Sequence, residues 1–308
     1  MKQVLRTYGI QLALVVVAAV WGGTFVMVKD AVARYPLYSF LGLRFTIAVL
    51  AFIVVMPAAL RQLRGRTLGA GLLAGVFLTA GYVFQTWGLQ DTSASKAAFI
   101  TGMFVVITPI MQAVVLRRIP RRWTILGVVL AVLGLWLISG GSGSAWTVGD
   151  TRVLLCAVAY SAHLIVLGGV SDRHDLRALT LVQLAVVAIV TTVIALLTEK
   201  PTLPGDVGVW AALLVTGIFA SAFAFAVQTY AQRFLSPTKT ALILITEPAF
   251  GGLFGWIAGD RLGIGGMAGS ALILTGMVVS EVVGAGAGEG RSIELEPAIE
   301  GPPVLRSE

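Results

Sequence analysis

The side chains with chemistry to offer are few, and they sit in apolar surroundings. Lys96 lies in the stretch QTWGLQDTSASKAAFI (Gln85–Ile100) and Lys239 in QTYAQRFLSPTKTALI (Gln228–Ile243). Ser93 and Ser236 fit as helix N-caps, with Pro237 at a first helical position. Each lysine then falls in a first turn, where the helix macrodipole disfavours a cation by roughly 0.3–1 kcal/mol. Either the stems carry the ammonium groups out to lipid headgroups, or the ammonium groups draw a carboxylate or other anion to each mouth of a pathway. Glu247 is the deepest acidic residue and is followed by Pro248. A carboxylate at such depth is costly. It suits a substrate ammonium or an exchanged proton, or else hydrogen bonding beside carbonyls freed by a proline kink. Arg44 is equally deep and needs a partner or water, and an ion pair with Glu247 would supply one. His163 follows Tyr160 by one turn; it can shuttle protons or rest as a hydrogen-bonded interior residue.

Around these lie polar and aromatic side chains. Gln85 and Gln228 either join helices or face a wet cavity. Trp21, Tyr38, Tyr82, Phe99, Tyr160 and Phe223 are candidates for an apolar pocket with polar points, ordinary helix packing being the other role open to each. Trp87 and Tyr230, at segment ends, suit interface anchoring. The candidate substrate-binding set is therefore Trp21, Tyr38, Arg44, Tyr82, Gln85, Lys96, Phe99, Tyr160, His163, Phe223, Gln228, Lys239 and Glu247. Ser161 and His163 stand two apart on a helix, so they face different ways and make no nucleophile–base pair. No G-x-x-x-x-G-K-[ST] phosphate loop, H-E-x-x-H motif or metal-spaced Cys/His cluster occurs. No catalytic residue, metal or cofactor is expected, and the chain is not read as an enzyme.

The elements that must position these residues are membrane-spanning helices. Apolar residues make up 57% of the chain and charged ones 12%, with mean hydropathy +0.91. Soluble domains carry about 25% charge. Apolar runs of about 20 residues, each able to cross a roughly 30 Å hydrocarbon core, recur as far as Val283. The net charge of +7 is dispersed over loops, unlike a nucleic-acid footprint. One cysteine, Cys156, excludes an intrachain disulfide. The basic start (Lys2, Arg6) leads into an apolar run long enough for a retained first helix rather than a cleaved signal.

The two lysine stretches are copies. Gln85, Thr86, Ser93, Lys96, Ala98 and Ile100 recur as Gln228, Thr229, Ser236, Lys239, Ala241 and Ile243, and Gly127 and Gly134 are answered by Gly269 and Gly276. Ten helices follow: Tyr8–Val28, Pro36–Ala59, Leu68–Leu89, Ser95–Leu116 and Trp123–Ser139, then Thr151–Val170, Leu176–Leu197, Val207–Ala231, Thr238–Ala258 and Gly263–Val283. With short loops between them, fifteen Lys and Arg residues fall on the side of the N-terminus and six on the other. That bias places both termini in the cytoplasm. An odd number of helices per copy turns the second copy upside down, the arrangement of transporters with a midplane site. The fold class is thus an all-α membrane protein of ten transmembrane helices in two inverted five-helix repeats, residues 1–145 and 146–283. Residues 284–308 form an acidic, Pro-containing tail expected to be disordered.

The segments WGGTFVMVK, PLYSFLGLRF and GLQDTSASKAAFITGMFVVITP, with SPTKTALILITEPAFGGLFGWIAGDRLG in the second copy, resemble the EamA-type branch of the drug/metabolite transporter superfamily. The resemblance covers roughly residues 8–283. It implies a five-plus-five inverted-repeat fold, cytoplasmic termini, a central cavity, and export or exchange of small metabolites, amino acids among them, including aromatic ones. One departure is plain: where the family commonly has Glu-Arg near the ends of the fourth and ninth helices, this chain has Arg117-Arg118 and Asp260-Arg261. The expected function is secondary active export or exchange of small zwitterionic metabolites by alternating access in the cell inner membrane. The alternative is multidrug-type efflux of amphipathic cations. The expected partners are the small-molecule substrate and the lipid bilayer, with no nucleic acid, and the protein is expected to act as a monomer.

Overall fold

The computed structural model describes residues 2–115, 122–140, 146–235, 237–244 and 246–279 of the 308-residue chain. The expected tail, Arg117-Arg118 and Ser236 lie outside the described residues, as does the side chain of Lys239. Every regular element described is helical: α1 (Lys2–Arg34), α2 (Leu37–Val55), α3 (Ala58–Arg61), α4 (Gly65–Leu89), α5 (Ala94–Gly102), α6 (Phe104–Val115), α7 (Arg122–Gly140), α8 (Val148–Val170), α9 (Leu176–Thr198) and α10 (Val207–Gly217). A π-helical turn, Ile218–Phe223, joins α10 to α11 (Ala224–Ala231), followed by α12 (Pro237–Leu244), α13 (Thr246–Ile257) and α14 (Gly263–Val278).

Among the described residues seven segments are long and apolar enough to cross a membrane: Tyr8–Arg34, Leu37–Val55, Gly65–Leu89, Ala94–Val115, Val148–Val170, Leu176–Thr198 and Val207–Ala231. Ile125–Gly134 and Gly263–Val278 are shorter apolar helices, and α12 and α13 flank residue 245. The boundaries differ from the sequence expectation in instructive ways. α1 runs on to Arg34, ending just before Pro36, whose ring pushes the residue ahead of it out of the helical region. The fourth expected helix is divided at Met103 into α5 and α6, and Pro109 sits inside α6. The division falls where Gly102 meets Pro248 of α13: a Cβ on Gly102 would lie 2.3 Å from the proline Cγ.

Caps are written locally. The Ser93 side chain accepts from the Lys96 N–H at 3.1 Å, starting α5. Thr147 and Asp150 exchange hydrogen bonds as a capping box at the start of α8. Asp206 accepts from the Val209 N–H at 3.0 Å and starts α10. At the end of α13 the chain turns through Gly259 at φ 105°, a backbone conformation open to glycine at little cost.

Glycine lets the helices approach to backbone contact, since association in lipid rests on close packing. A Cβ on Gly134 of α7 would lie 2.5 Å from the Gly269 carbonyl oxygen of α14, and one on Gly276 would lie 2.5 Å from the Gly127 carbonyl oxygen. Gly127 and Gly134 correspond to Gly269 and Gly276 in the repeat, so each contact maps onto the other when the copies are exchanged. Because 134 meets 269 while 127 meets 276, the two helices run antiparallel. α5 and α13 also cross antiparallel, with Gly102 at Pro248, Ala98 at Gly251 and Ser95 at Gly255.

The seam between α7 and α14 therefore has no room for a side chain. Gly134→Leu is expected to destabilise by about 1–3 kcal/mol, the usual cost of overpacking. The exposed neighbour Val132→Leu is expected to be neutral. Thermal unfolding of the detergent-solubilised protein measures both, and equal melting temperatures would refute the close seam.

Candidate functional site

Eight of the thirteen candidate side chains converge on one internal cavity: Trp21, Arg44, Tyr82, Gln85, Tyr160, His163, Gln228 and Glu247 all line it. They arrive from α1, α2, α4, α8, α11 and α13, each from within its helix rather than from a loop. Thr24, Phe25, Phe104, Leu164, Phe225 and Leu244 complete the wall. These last residues read in sequence as ordinary core, and only their helix-face relation to the polar candidates (Thr24 and Phe25 after Trp21, Phe225 before Gln228) hinted at them.

Arg44 is buried and is answered by neutral groups. Its Nε donates to Ser221 Oγ at 3.1 Å and a terminal nitrogen to the Tyr82 hydroxyl at 3.3 Å. The guanidinium carbon also lies 4.6 Å from the centroid of the Tyr82 ring, a cation–π contact that favours a desolvated cation. The expected Arg44–Glu247 pair is not formed: among the described residues no ion pair joins them. The reason is geometric, since the guanidinium is drawn toward Ser221 on the π-helical turn and Tyr82 on α4. That turn is pinned again by Trp21, whose indole N–H donates to the Ala220 carbonyl at 2.7 Å. Single π turns inside helices concentrate at functional sites.

Glu247 is buried at the start of α13, beside Pro248. It faces the cavity, and no hydrogen bond to it is found among the described residues. Gln228 is buried too, and its Oε1 has no hydrogen-bond partner among the described residues. His163 is tied down: Nε2 stands 2.7 Å from Gln183 Oε1, and Gln183 Nε2 donates to Thr229 Oγ1 at 3.0 Å. Tyr160 donates to Gln85 Oε1 at 3.3 Å, and Gln85 Nε2 donates to Thr101 Oγ1 at 3.3 Å. Tyr82 meets Tyr160 edge-on at 5.7 Å between centroids and Phe225 at 6.0 Å. About 40 Å3 of the cavity is open to the centres of water molecules, room for about three waters. A free amino acid needs the walls to move apart.

The other candidates lie elsewhere. Tyr38 gives its backbone N–H to Glu199 at 3.0 Å, near the α1–α2 turn. Lys96 does not reach the cavity; its Nζ lies 2.6 Å from Asp150 Oδ2. Phe99 is buried against α13, where Gly252 makes room for its ring. Phe223 is exposed and lines a separate cleft. Lys239 belongs to α12. Asp260, at the position of the family's acidic residue, accepts from the Ser95 N–H at 2.8 Å and so caps α5.

That separate cleft is large, about 750 Å3 by the same measure. It opens between the start of α1 (Gly9, Ile10), the end of α2 (Phe52, Met56), the start of α9 and the end of α11. Its rim carries Asp175, Arg177 and Arg233. The Arg177 side chain and the Ala178 N–H hold the Asp175 carboxyl below the usual carboxylate range. Among the described residues no three or more His, Cys, Asp and Glu gather as metal ligands.

Comparison with known proteins agrees with the resemblance. The model of the EamA-like transporter family matches twice, over residues 7–140 and 147–281. An uncharacterized transporter of Archaeoglobus fulgidus is 32% identical, covering 79% of this chain and 76% of the relative. The uncharacterized transporter YoaV of Bacillus subtilis is 21% identical over 88% of this chain and 96% of its own length. A solved crystal structure of a protein superposes with TM-score 0.69 at 17% identity, over 91% of this chain and 99% of that one. At that identity the likeness is one of fold.

Gly81 sets the width of the cavity, since a Cβ there would lie 2.2 Å from Tyr160 Cε1. Gly81→Ala is expected to displace that ring and cost about 1–3 kcal/mol. Combined with Tyr160→Leu it is expected to cost less than the two single changes added, the sign of direct coupling. Unfolding of the four proteins measures this, and strict additivity would contradict it.

Proposed function

Because the chain belongs to the EamA-like transporter family, we propose that it is a secondary transporter for small zwitterionic metabolites, most of all amino acids with apolar or aromatic side chains. One observation carries this reading. Arg44 and Glu247, a cation and an anion, line the same buried cavity without pairing with each other. A zwitterion supplies the missing partner to each: its carboxylate replaces Ser221 or joins it at Arg44, and its ammonium meets Glu247. Ion pairs of this kind, desolvated and hydrogen bonded, are the strong ones. Trp21, Tyr82, Tyr160 and Phe225 offer faces and edges to a substrate side chain, and Gln85 and Gln228 offer amide groups.

The same groups suggest how transport is coupled. A lone carboxylate is expensive when buried, so Glu247 passes between the two states either bound to the substrate ammonium or carrying a proton. Arg44, Tyr82, Tyr160 and His163 are the other titratable groups in the wall, and His163 is held by Gln183. In this reading ten helices form two inverted repeats, residues 1–145 and 146–283, which rock about the cavity to expose it to one side and then the other. The protein acts as a monomer in the cell inner membrane, with both termini cytoplasmic, and exports its substrate. Efflux of amphipathic cations is the competing reading. The open carboxylate of Glu247 favours it, and a guanidinium in the same wall opposes it.

Counterflow in proteoliposomes against labelled amino acids, sugars and cationic drugs tests the reading. Uptake of at least one amino acid is expected, with sugars inactive. Glu247→Gln is expected to lower that flux on the order of tenfold or more, the worth of one charged hydrogen bond, and to flatten its pH dependence. Flux and pH profile both unchanged in Glu247→Gln would eliminate the coupling role. Transport of cationic drugs that survives Arg44→Met, with no amino acid moved, would favour the competitor.

A further inference from the structure

The two ends of the bundle are not closed alike. At the end where α4 passes into α5, polar links tie the α4–α5 turn and the start of α5 to the start of α8. Lys96 and Asp150 form an ion pair at 2.6 Å with side chains 5% and 0% exposed. Asp150 also accepts from Thr92 Oγ1 at 2.6 Å and from the Thr147 N–H at 2.7 Å. Beside it Arg152 pairs with Asp91, its guanidinium 3.9 Å from the Trp87 ring centroid. Beneath the pair the backbones touch: a Cβ on Gly88 would lie 2.7 Å from the Gly149 carbonyl oxygen, and one on Gly149 2.6 Å from that of Gly88. At the opposite end a cleft of about 750 Å3 opens among residues of α1, α2, α9 and α11. Its inner wall, Phe223, Ala226 and Val227, belongs to the same helical stretch that offers Phe225 and Gln228 to the cavity.

We propose that the Lys96–Asp150 pair is the latch of the closed mouth, made and broken once in each transport cycle. The pair rests on the transport reading given above, and it deepens that reading by naming the gate. Its energetics suit a latch. A buried ion pair gains little net stability over the same two ions in water, so a mouth sealed by one is cheap to open when opening wets both charges. Losing one partner is different: the remaining charge is buried without its counter-ion only while the mouth is closed. Each single neutralisation therefore penalises the closed form alone and shifts the population toward the open one. Removing both charges lifts the penalty.

The chain carries its own reporter. Cys156, its one cysteine, is fully buried on α8 between Asp150 and Tyr160, between one and two turns further into the bundle than Asp150. The experiment measures alkylation of Cys156 by a membrane-impermeant maleimide, added to one face or the other of sealed proteoliposomes of known orientation. Slow labelling is expected in the wild type. Lys96→Met and Asp150→Asn are each expected to speed labelling on the order of tenfold or more, and only from the face bearing the α4–α5 turn. The double variant is expected to label as slowly as the wild type. Where Lys96→Met gives no folded protein, Lys96→Gln takes its place in the same comparison. Single variants labelled at the wild-type rate overturn the proposal, as does a double variant as reactive as the singles. Equal labelling from both faces signals general loosening and also overturns it. The readout needs no substrate, so a failed latch and a failed transport reading give separate results.

Discussion

Charge taken out of water has to be answered, and the answers available inside this bundle govern much of its construction. Lys96 is answered by the carboxylate of Asp150, in a buried ion pair. Arg44 is answered in part, by a hydroxyl on each side and an aromatic face. Glu247 finds no partner among the described residues and looks into a cavity instead. The three cases differ in what each leaves over: opposite charges matched at the Lys96–Asp150 pair, spare donor capacity at Arg44, and a whole carboxylate at Glu247. A guanidinium has five N–H donors, so the two hydrogen bonds of Arg44 leave room for a ligand. Binding capacity sits where the internal answer is incomplete.

Packing decides which groups can reach one another. With no hydrophobic drive between helices in lipid, they hold together through close contact, and glycine sets how close. Gly81 admits the Tyr160 ring, Gly88 and Gly149 let α4 and α8 touch, and the glycines of α7 and α14 form a seam that maps onto itself under exchange of the copies. The repeat is thus visible in the contacts as well as in the sequence.

Much of this was legible in the sequence. The apolar run lengths anticipated the seven segments able to span a membrane among the described residues, and the paired glycines anticipated the α7–α14 seam. The deep polar residues, Arg44, Gln85, His163, Gln228 and Glu247, signalled a cavity because lipid tolerates such groups only where something answers them. What stayed hidden depended on partners far away in the chain. Nothing in Lys96 told that Asp150 would reach it, so a mouth-side anion trap and a buried seal read alike. Tyr38 and Phe99 looked like Tyr82 and Phe225, because aromatic residues carry no mark of the face they will take. The π turn at Ile218–Phe223, which sets the facing of Ser221 and Phe225, has no glycine or proline to announce it.

Binding of a labelled aromatic amino acid to the purified protein, in competition with two of its derivatives, tests the central claim most directly. One derivative is the amide, which loses the carboxylate; the other is the N-acetyl form, which loses the ammonium. If Arg44 and Glu247 hold opposite ends of one molecule, each derivative will compete on the order of tenfold or more worse than the parent, as loss of a charged hydrogen bond requires. Competition by either derivative as strong as the parent's would contradict the account.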